Sequence, residues 1–204
     1  WSHQWAVPAQ VYDGVTMSPY HTEPEKRGAA GPGITRIGVI AHETGHFLGL
    51  PDLYDTEYDS QGAGDFCLMA GGSWNGGDGK SPAHMSAWCK KYLGWAAATP
   101  LSAYGTNTLA RIETSSTSLF SMRNGDFGAN EYFLVENRQG YGFDSALPGT
   151  SRGILIWHVD ESKLNNGNND DQTHYLVDLE EASGTQHLAN NTGYGDDLDY
   201  YRAG

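Results

Sequence analysis

The chain has 204 residues and a formal net charge of −13, with 25 acidic and only 12 basic side chains. This charge argues against nucleic acid as a partner, because contacts to phosphates require clustered lysine and arginine residues. The sequence also lacks any apolar run close to the roughly 20 residues that a membrane-spanning helix needs. With 27 glycines, 12 tyrosines and 18% charged residues, the composition favours a turn-rich fold over a helical bundle or a disordered chain.

The length predicts a single domain over residues 1–204. The sequence begins at Trp1, without a methionine, so we expect a processed piece or a fragment of a longer protein. Prolines and glycines interrupt residues 1–33, which predicts extended segments and loops. Apolar residues at the helical period then predict a helix from Ile34 to about Leu48, which Gly49 ends.

Two histidines lie four positions apart near the end of this helix. His42 and His46 therefore project from one face, and both imidazoles can reach one cation. Beyond a turn at Gly49, Asp52 supplies a third ligand, which completes the usual protein ligand set of a catalytic zinc. Glu43 flanks the remaining coordination position as a general base, and a ligand role for Glu43 is the alternative.

A long acidic and glycine-rich connection follows the helix, and loops of this length are usually functional. If Asp52 points away from the metal, Asp55 or Glu57 is the expected third ligand. Tyr54 and Tyr58 lie where a phenol could stabilise an oxyanion, and simple packing is the alternative for each.

A second helix is predicted after this connection. Ser81 is its expected N-cap, the body runs from Ala83 to Leu93, and Gly94 stops it. For His84 on this helix we favour a solvated position, and a functional role is the alternative.

From residue 100 onwards the pattern changes to strands. They are predicted at Asn107–Glu113, Leu119–Arg123, Glu131–Arg138, Gly153–Val159 and His174–Glu181. The sequence thus divides into a helix-bearing region, residues 1–99, and a β-rich region, residues 100–204, packed onto it. His158 on one of these strands is either a hydrogen-bond donor to the substrate or, the favoured alternative, a structural core residue.

Acidic residues near the end of the chain are candidate calcium ligands, because hard cations take six to eight oxygen ligands. They are Asp170, Asp171, Asp178, Glu180, Asp196, Asp197 and Asp199. The spacing of an EF-hand loop is absent, so plain solvated loops are the alternative.

Several segments resemble known metallopeptidases. The stretch from His42 to Asp52 followed by Met69 resembles the metzincin pattern, with an aspartate in place of the third histidine. The more specific resemblance is to the immune inhibitor A-like metallopeptidases, which are secreted bacterial-type enzymes. Segments 45–55, 68–74, 82–88, 93–95, 131–138, 153–161 and 176–182 carry it.

The resemblance implies an α+β fold, in which a metzincin-like zinc helix and Met-turn subdomain precedes a β-rich half. It implies that His42, His46 and Asp52 bind Zn²⁺, that Glu43 is the catalytic base, and that Met69 is the turn methionine. The expected protein is a secreted zinc endopeptidase that cleaves extracellular proteins or peptides. Substrate preference and oligomeric state cannot be inferred from the sequence.

The two cysteines, Cys67 and Cys89, do not form a Cys-x-x-Cys pair, so neither a thiolate zinc site nor a redox motif is predicted. Given the secreted location that the resemblance implies, we expect a disulfide between them, with two buried free thiols as the alternative. Two other functions also stay open. One is a non-catalytic binding or surface-assembly module that keeps the fold, and the other is an amidase that acts on cell-wall peptides.

Overall fold

A computed structural model describes residues 2–27, 33–101, 105–123 and 125–202. Within these ranges the protein is a mixed α and β structure with two α-helices, a two-stranded hairpin and a five-stranded sheet. None of the helices in the described ranges has both the length and the apolar composition to cross a membrane.

The N-terminal segment is a β-hairpin, formed by β1 (His3–Tyr12) and β2 (Val15–Thr22). The prediction of loops missed it because the prolines suggested interruption. In a two-stranded ribbon each strand has a free edge, so proline is tolerated there. Asp13 and Gly14 form the connecting turn with φ values of 51° and 77°, as hairpin turns that match the strand twist require.

Helix α1 covers Ile37–Phe47 and begins three residues later than predicted. Ile34 instead forms an isolated β-bridge with Lys26, and the Thr35 amide donates to the Glu25 carbonyl at 3.0 Å. These contacts hold the preceding residues extended, so the helix starts only after Arg36.

Helix α2 covers Ala87–Tyr92, and its N-cap is Ser86 rather than Ser81. The Ser86 hydroxyl accepts a hydrogen bond from the Cys89 amide at 3.4 Å. The residues predicted to open the helix are extended, since the Ala83 amide donates to the Gly72 carbonyl at 2.9 Å. His84, predicted on the helix, lies on this extended segment.

The sheet has the order β3-β4-β5-β6-β7, with β3 and β4 parallel and the other neighbours antiparallel. Its strands are Thr99–Pro100, Leu119–Met122, Glu131–Arg138, Gly153–Asp160 and Val177–Leu179. Two of the predicted strands differ from the strands that the structure shows. Residues 107–113 are not a strand, because Ile112–Thr114 form a short 3-10 turn and only Arg111 bridges to β5. The last strand is short, and the Asn169 side chain hydrogen-bonds both backbone groups of Val177 just where it begins.

One buried apolar cluster contains residues from both regions, among them Phe66, Trp88, Leu134 and Trp157. A buried ionic network, defined by Lys90, Glu136, Arg138 and Asp144, lies within the same core. Arg138 contacts Asp144 through two nitrogens at 2.7 Å each and Glu136 at 3.1 Å, and Lys90 Nζ lies 2.8 Å from Glu136. The sheet is thereby joined to α2.

Candidate metal centre

The end of α1 directs the chain back towards its own histidines. Leu48 caps the helix and Gly49 follows with φ 97°, a conformation that favours glycine. The Leu50 amide then donates to the Gly45 carbonyl at 3.0 Å, which holds the turn close to the helix. This local path brings Asp52 back to the face that carries His42 and His46.

Three ligand-type atoms meet at this point, and we call His42, His46 and Asp52 the histidine–aspartate cluster. The two Nε2 atoms lie 3.1 Å apart, and each lies 3.1 Å from Oδ1 of Asp52. Ligands of a tetrahedral zinc with bonds of about 2.0–2.2 Å are separated by about 3.3–3.6 Å. The observed separations are thus only slightly shorter than those of a metal-bound set.

The backbone determines which ring nitrogens face the cluster. Nδ1 of His42 lies 2.9 Å from the Leu68 carbonyl and Nδ1 of His46 lies 2.8 Å from the Leu50 carbonyl. A carbonyl only accepts, so each Nδ1 carries a proton and each ring turns its Nε2 towards the cluster. Histidine rings that ligate metals are held in this way.

The cluster has the character of a cation site. Oδ1 of Asp52 is buried and has no hydrogen-bond donor, and no lysine or arginine in the described ranges pairs with it. Burial lowers the pKa of His46, but Asp52 outweighs it and the pKa is raised overall. Burial likewise raises the pKa of Asp52, yet the two histidines bring it well below its usual value. Two imidazole nitrogens and a carboxylate oxygen therefore converge at one point, and this set of ligand types fits a divalent cation.

Met69 lies beneath the helix between the two histidines. Its side chain is fully buried, and a Cβ placed on Gly45 would come within 2.4 Å of its sulfur. The Leu53 amide donates to the Met69 carbonyl at 2.8 Å, which ties the methionine segment to the residue after Asp52. Glycine at position 45 thus permits the close approach of helix and methionine.

Glu43 is largely buried and lines a cleft of about 750 Å³ next to His42. Tyr54 and Tyr58 line the same cleft. The Tyr54 ring stacks on His42 with centroids 6.3 Å apart, and burial followed by the Asp52 charge raises its pKa. Other lining residues are Arg27, Arg36, Ser73, Trp74, Asn191 and Tyr194. The cleft therefore runs past the cluster with aromatic and basic groups on its walls.

Other predicted residues lie elsewhere. His158 is on β6, where Nε2 lies 2.9 Å from Glu131 and the ring stacks on Phe127; it is not among the described residues that line the cleft. Asp55 and Glu57 are not needed as substitute ligands, since Asp52 faces the histidines. Asp55 instead accepts hydrogen bonds from Ser60 and from the Glu57 amide.

The predicted disulfide is wrong. Cys67 and Cys89 are both free and buried. Sγ of Cys67 accepts from the amides of Met69 at 3.4 Å and Ser86 at 3.3 Å, and Sγ of Cys89 accepts from the Ser86 hydroxyl at 3.3 Å. The sulfurs thus act as polar partners of the backbone that leads into α2.

The candidate calcium ligands are dispersed. Asp170 caps the backbone at Thr56, Asp171 bonds Thr173, and Asp197 accepts from the amides of Thr150 and Ser151. Only Asp199 belongs to a cluster of potential metal ligands within the described part of the chain, and its partners are Glu181 and His187. Calcium binding by these residues stays a prediction. Sequence reasoning missed His187, because no spacing motif connects it to acidic residues 6 and 12 positions away.

Comparisons with known proteins identify related peptidases. Residues 1–98 match the model of the immune inhibitor A peptidase M6 catalytic domain, which confirms the resemblance seen in the sequence. The chain is 48% identical over 59 residues to the pre-pro-metalloprotease PrtV from two strains of Vibrio cholerae serotype O1. It is 39% identical over 109 residues to immune inhibitor A of Bacillus thuringiensis subsp. alesti.

These matches are partial. They cover 28% of this chain and 6% of PrtV, and 46% of this chain and 15% of immune inhibitor A. The chain therefore spans only a small part of the length of these relatives.

Proposed function

We propose that this chain is the catalytic part of a zinc-dependent endopeptidase that cleaves extracellular proteins, because residues 1–98 match the catalytic domain model of immune inhibitor A peptidase M6. The observation that carries the proposal is the histidine–aspartate cluster. Its three ligand-type atoms lie 3.1 Å apart, and both Nδ1 atoms are already engaged by carbonyls. In this proposal His42, His46 and Asp52 hold the metal, in a metzincin-like fold with Met69 as the turn methionine.

Zinc held by these ligands would supply a Lewis acid and a water activated near neutral pH. The chain itself contributes the proton transfers. Glu43 lies on the helix directly after the first histidine and lines the cleft. Its carboxylate accepts a proton from the attacking water and passes it to the leaving amine, the ordinary work of a general base that becomes a general acid.

A phenol is proposed to stabilise the developing oxyanion. Tyr54 is the better candidate of the two cleft tyrosines, since its ring stacks on His42 and it feels the charge of the nearby Asp52. Its raised pKa keeps the hydroxyl protonated and able to donate. Tyr58 stacks on Tyr54 with centroids 6.4 Å apart and is largely exposed, so it suits a contact to the bound substrate.

We further propose that residues 1–204 act as one catalytic domain with an extracellular location. The apolar cluster and the buried ionic network, which both draw on residues 1–99 and 100–204, support the first point. Support for the second is the family relationship.

The test combines metal analysis with cleavage of an unfolded protein substrate, with and without a chelator. We expect one zinc at the histidine–aspartate cluster and cleavage that the chelator abolishes. Glu43→Gln should keep this zinc and lose about 10²–10⁴-fold in kcat, since general acid–base catalysis contributes about that much. Glu25→Gln, at an exposed position, is the matched control and should cleave like the wild type.

Two results would contradict the proposal in different ways. Full activity of Glu43→Gln would overturn the role of the base. Zinc binding without chelator-sensitive cleavage would favour the non-catalytic binding module instead.

A further inference from the structure

A second group of metal-ligand side chains lies outside the cleft. Glu181, His187 and Asp199 place ligand-type atoms within 4.8 Å of one another. The three side chains are nearly or fully buried, with 3%, 14% and 0% of their surface exposed. His187 is the only basic side chain that contacts either carboxylate in the part of the chain that the structure describes.

Glu181 determines the state of the histidine ring. Its Oε2 lies 2.8 Å from Nδ1 of His187, and the same carboxylate accepts from the amides of His187 and Leu188 at 2.9 Å each. Nδ1 also lies 3.1 Å from the Thr185 hydroxyl, which donates to the same Glu181 carboxylate, so Nδ1 is the donor of this set. Nε2 lies on the other side of the ring.

The other ring nitrogen of His187 faces Asp199. Nε2 lies 3.5 Å from Oδ2 of Asp199 and has no hydrogen-bond partner, and Oδ2 itself accepts from the Asp196 amide at 2.7 Å. Oδ1 of Asp199 is also buried without a partner, in a side chain with no exposed surface. Buried polar atoms normally find hydrogen-bond partners. Here two of them lack one, as Oδ1 of Asp52 does in the histidine–aspartate cluster.

We propose that this is a second divalent-metal site, with Nε2 of His187 and the carboxylate of Asp199 as ligands and Glu181 as the residue that orients the ring. The 3.5 Å separation falls within the range of about 3.3–3.6 Å expected between two ligands of a tetrahedral zinc. A carboxylate on Nδ1 is the usual outer partner of a metal-bound histidine. The imidazole ligand favours zinc over calcium, which takes oxygen ligands.

A metal bound at this second site would stabilise one wall of the cleft. It connects Glu181, just after β7, to the turn at Asp197–Asp199. The segment between them contains Asn191 and Tyr194, which line the cleft, and the Leu188 carbonyl accepts from the Gln61 amide at 3.0 Å. The proposed role is structural and does not depend on the peptidase assignment.

The experiment counts zinc in the 204-residue chain after equilibration with Zn²⁺ and removal of free metal. We expect two zinc ions in the wild type and one in His187→Ala, with the same loss in Asp199→Asn. His42→Ala should also keep one, and this one should be the ion that His187→Ala lacks. His174→Ala is the matched control, a partly exposed histidine paired with Asp160, and should keep both.

A second measurement uses only the wild-type chain, so it does not depend on whether a variant folds. The absorbance of bound Co²⁺ is followed during titration, and two sequential Co²⁺ equivalents support the second metal site. A single metal equivalent that His42→Ala removes completely would overturn it, as would a site that takes Ca²⁺ but not Zn²⁺. Loss of the first site alone would count against the proposed peptidase and leave this inference intact.

Discussion

The histidine–aspartate cluster and the buried ionic network differ in whether their buried charged groups have partners of opposite charge within the chain. In the network, every charged group faces an opposite charge from the same chain, and Trp157 donates a further hydrogen bond to Glu136 at 2.9 Å. In the cluster, two imidazole nitrogens and a carboxylate oxygen converge, and Oδ1 of Asp52 has neither a hydrogen-bond partner nor a lysine or arginine beside it in the described ranges. Both arrangements are built from side chains that are costly to bury.

The difference separates structural from functional polar groups. A buried set that is complete within the chain holds the fold together, and a buried set that lacks its positive partner indicates a ligand. Asp65 shows a third way in which a buried carboxyl group can be accommodated. Burial alone raises its pKa to about 6, so below about pH 6 it holds a proton in place of a counter-charge.

The largest expected effect comes from breaking the network. Asp144→Asn leaves the buried Arg138 with only Glu136 as its ionised partner. We expect a loss of about 3–5 kcal/mol in the free energy of unfolding, the usual cost of removing one partner of a buried pair. Urea denaturation checks this, and a loss below about 1 kcal/mol would show that the network is not structural.

The same aspartate-to-asparagine change in the cluster should act on metal binding. Asp52→Asn removes a proposed ligand. Loss of a residue that only hydrogen-bonds a metal ligand lowers metal affinity by about 10–100-fold, so we expect a larger fall in zinc affinity here. In the presence of a chelator its free energy of unfolding should change by less than about 1 kcal/mol, because this ion pair is partly exposed. Calorimetric zinc titration and urea denaturation give the two values. If Asp52→Asn lost as much free energy of unfolding in chelator as Asp144→Asn does, the cluster would be structural like the network.

A smaller effect is expected at the floor of the cluster. In Gly45→Ala the new Cβ approaches the Met69 sulfur and forces the methionine to move. Overpacking of this kind costs about 1–3 kcal/mol. A double-mutant cycle with Met69→Ala should recover part of the loss if the two residues meet as described. Strict additivity of the two changes would argue against the contact.

The smallest effect concerns pH and Asp65. The pKa of Asp65 in the folded chain, about 6, lies above its ordinary value of 3.8. Its contribution to stability is therefore fully present below about pH 4 and is lost as pH rises through 6. Asp65→Asn cannot ionise, so it should gain about 2 kcal/mol relative to the wild type between pH 4 and pH 6. Urea denaturation at both pH values measures this, and a pH-independent difference would contradict it.

The strands and helices that the sequence predicted best are those with a strong local period. Strands β5 and β6 fall within one residue of the predicted bounds, since their alternation of side chains is a property of each segment. The start of α2 was missed because Ser81 and Ser86 are both good caps. The choice depends on His84, whose amide donates to Asp144, 60 residues away, at 2.7 Å and so stays outside the helix.

The sequence by itself determined the pairing of His42 and His46, because four residues along a helix place two side chains on one face. It also indicated Asp52, since Gly49 permits the turn that brings it back. Tertiary structure alone decided the rest. The carbonyl of Leu68 orients the ring of His42 from 26 positions away, and the network, the free thiols and the Glu181–His187–Asp199 cluster join segments whose contact no local pattern encodes. Local periodicity follows from backbone geometry, but convergence of distant polar atoms follows from how the core packs.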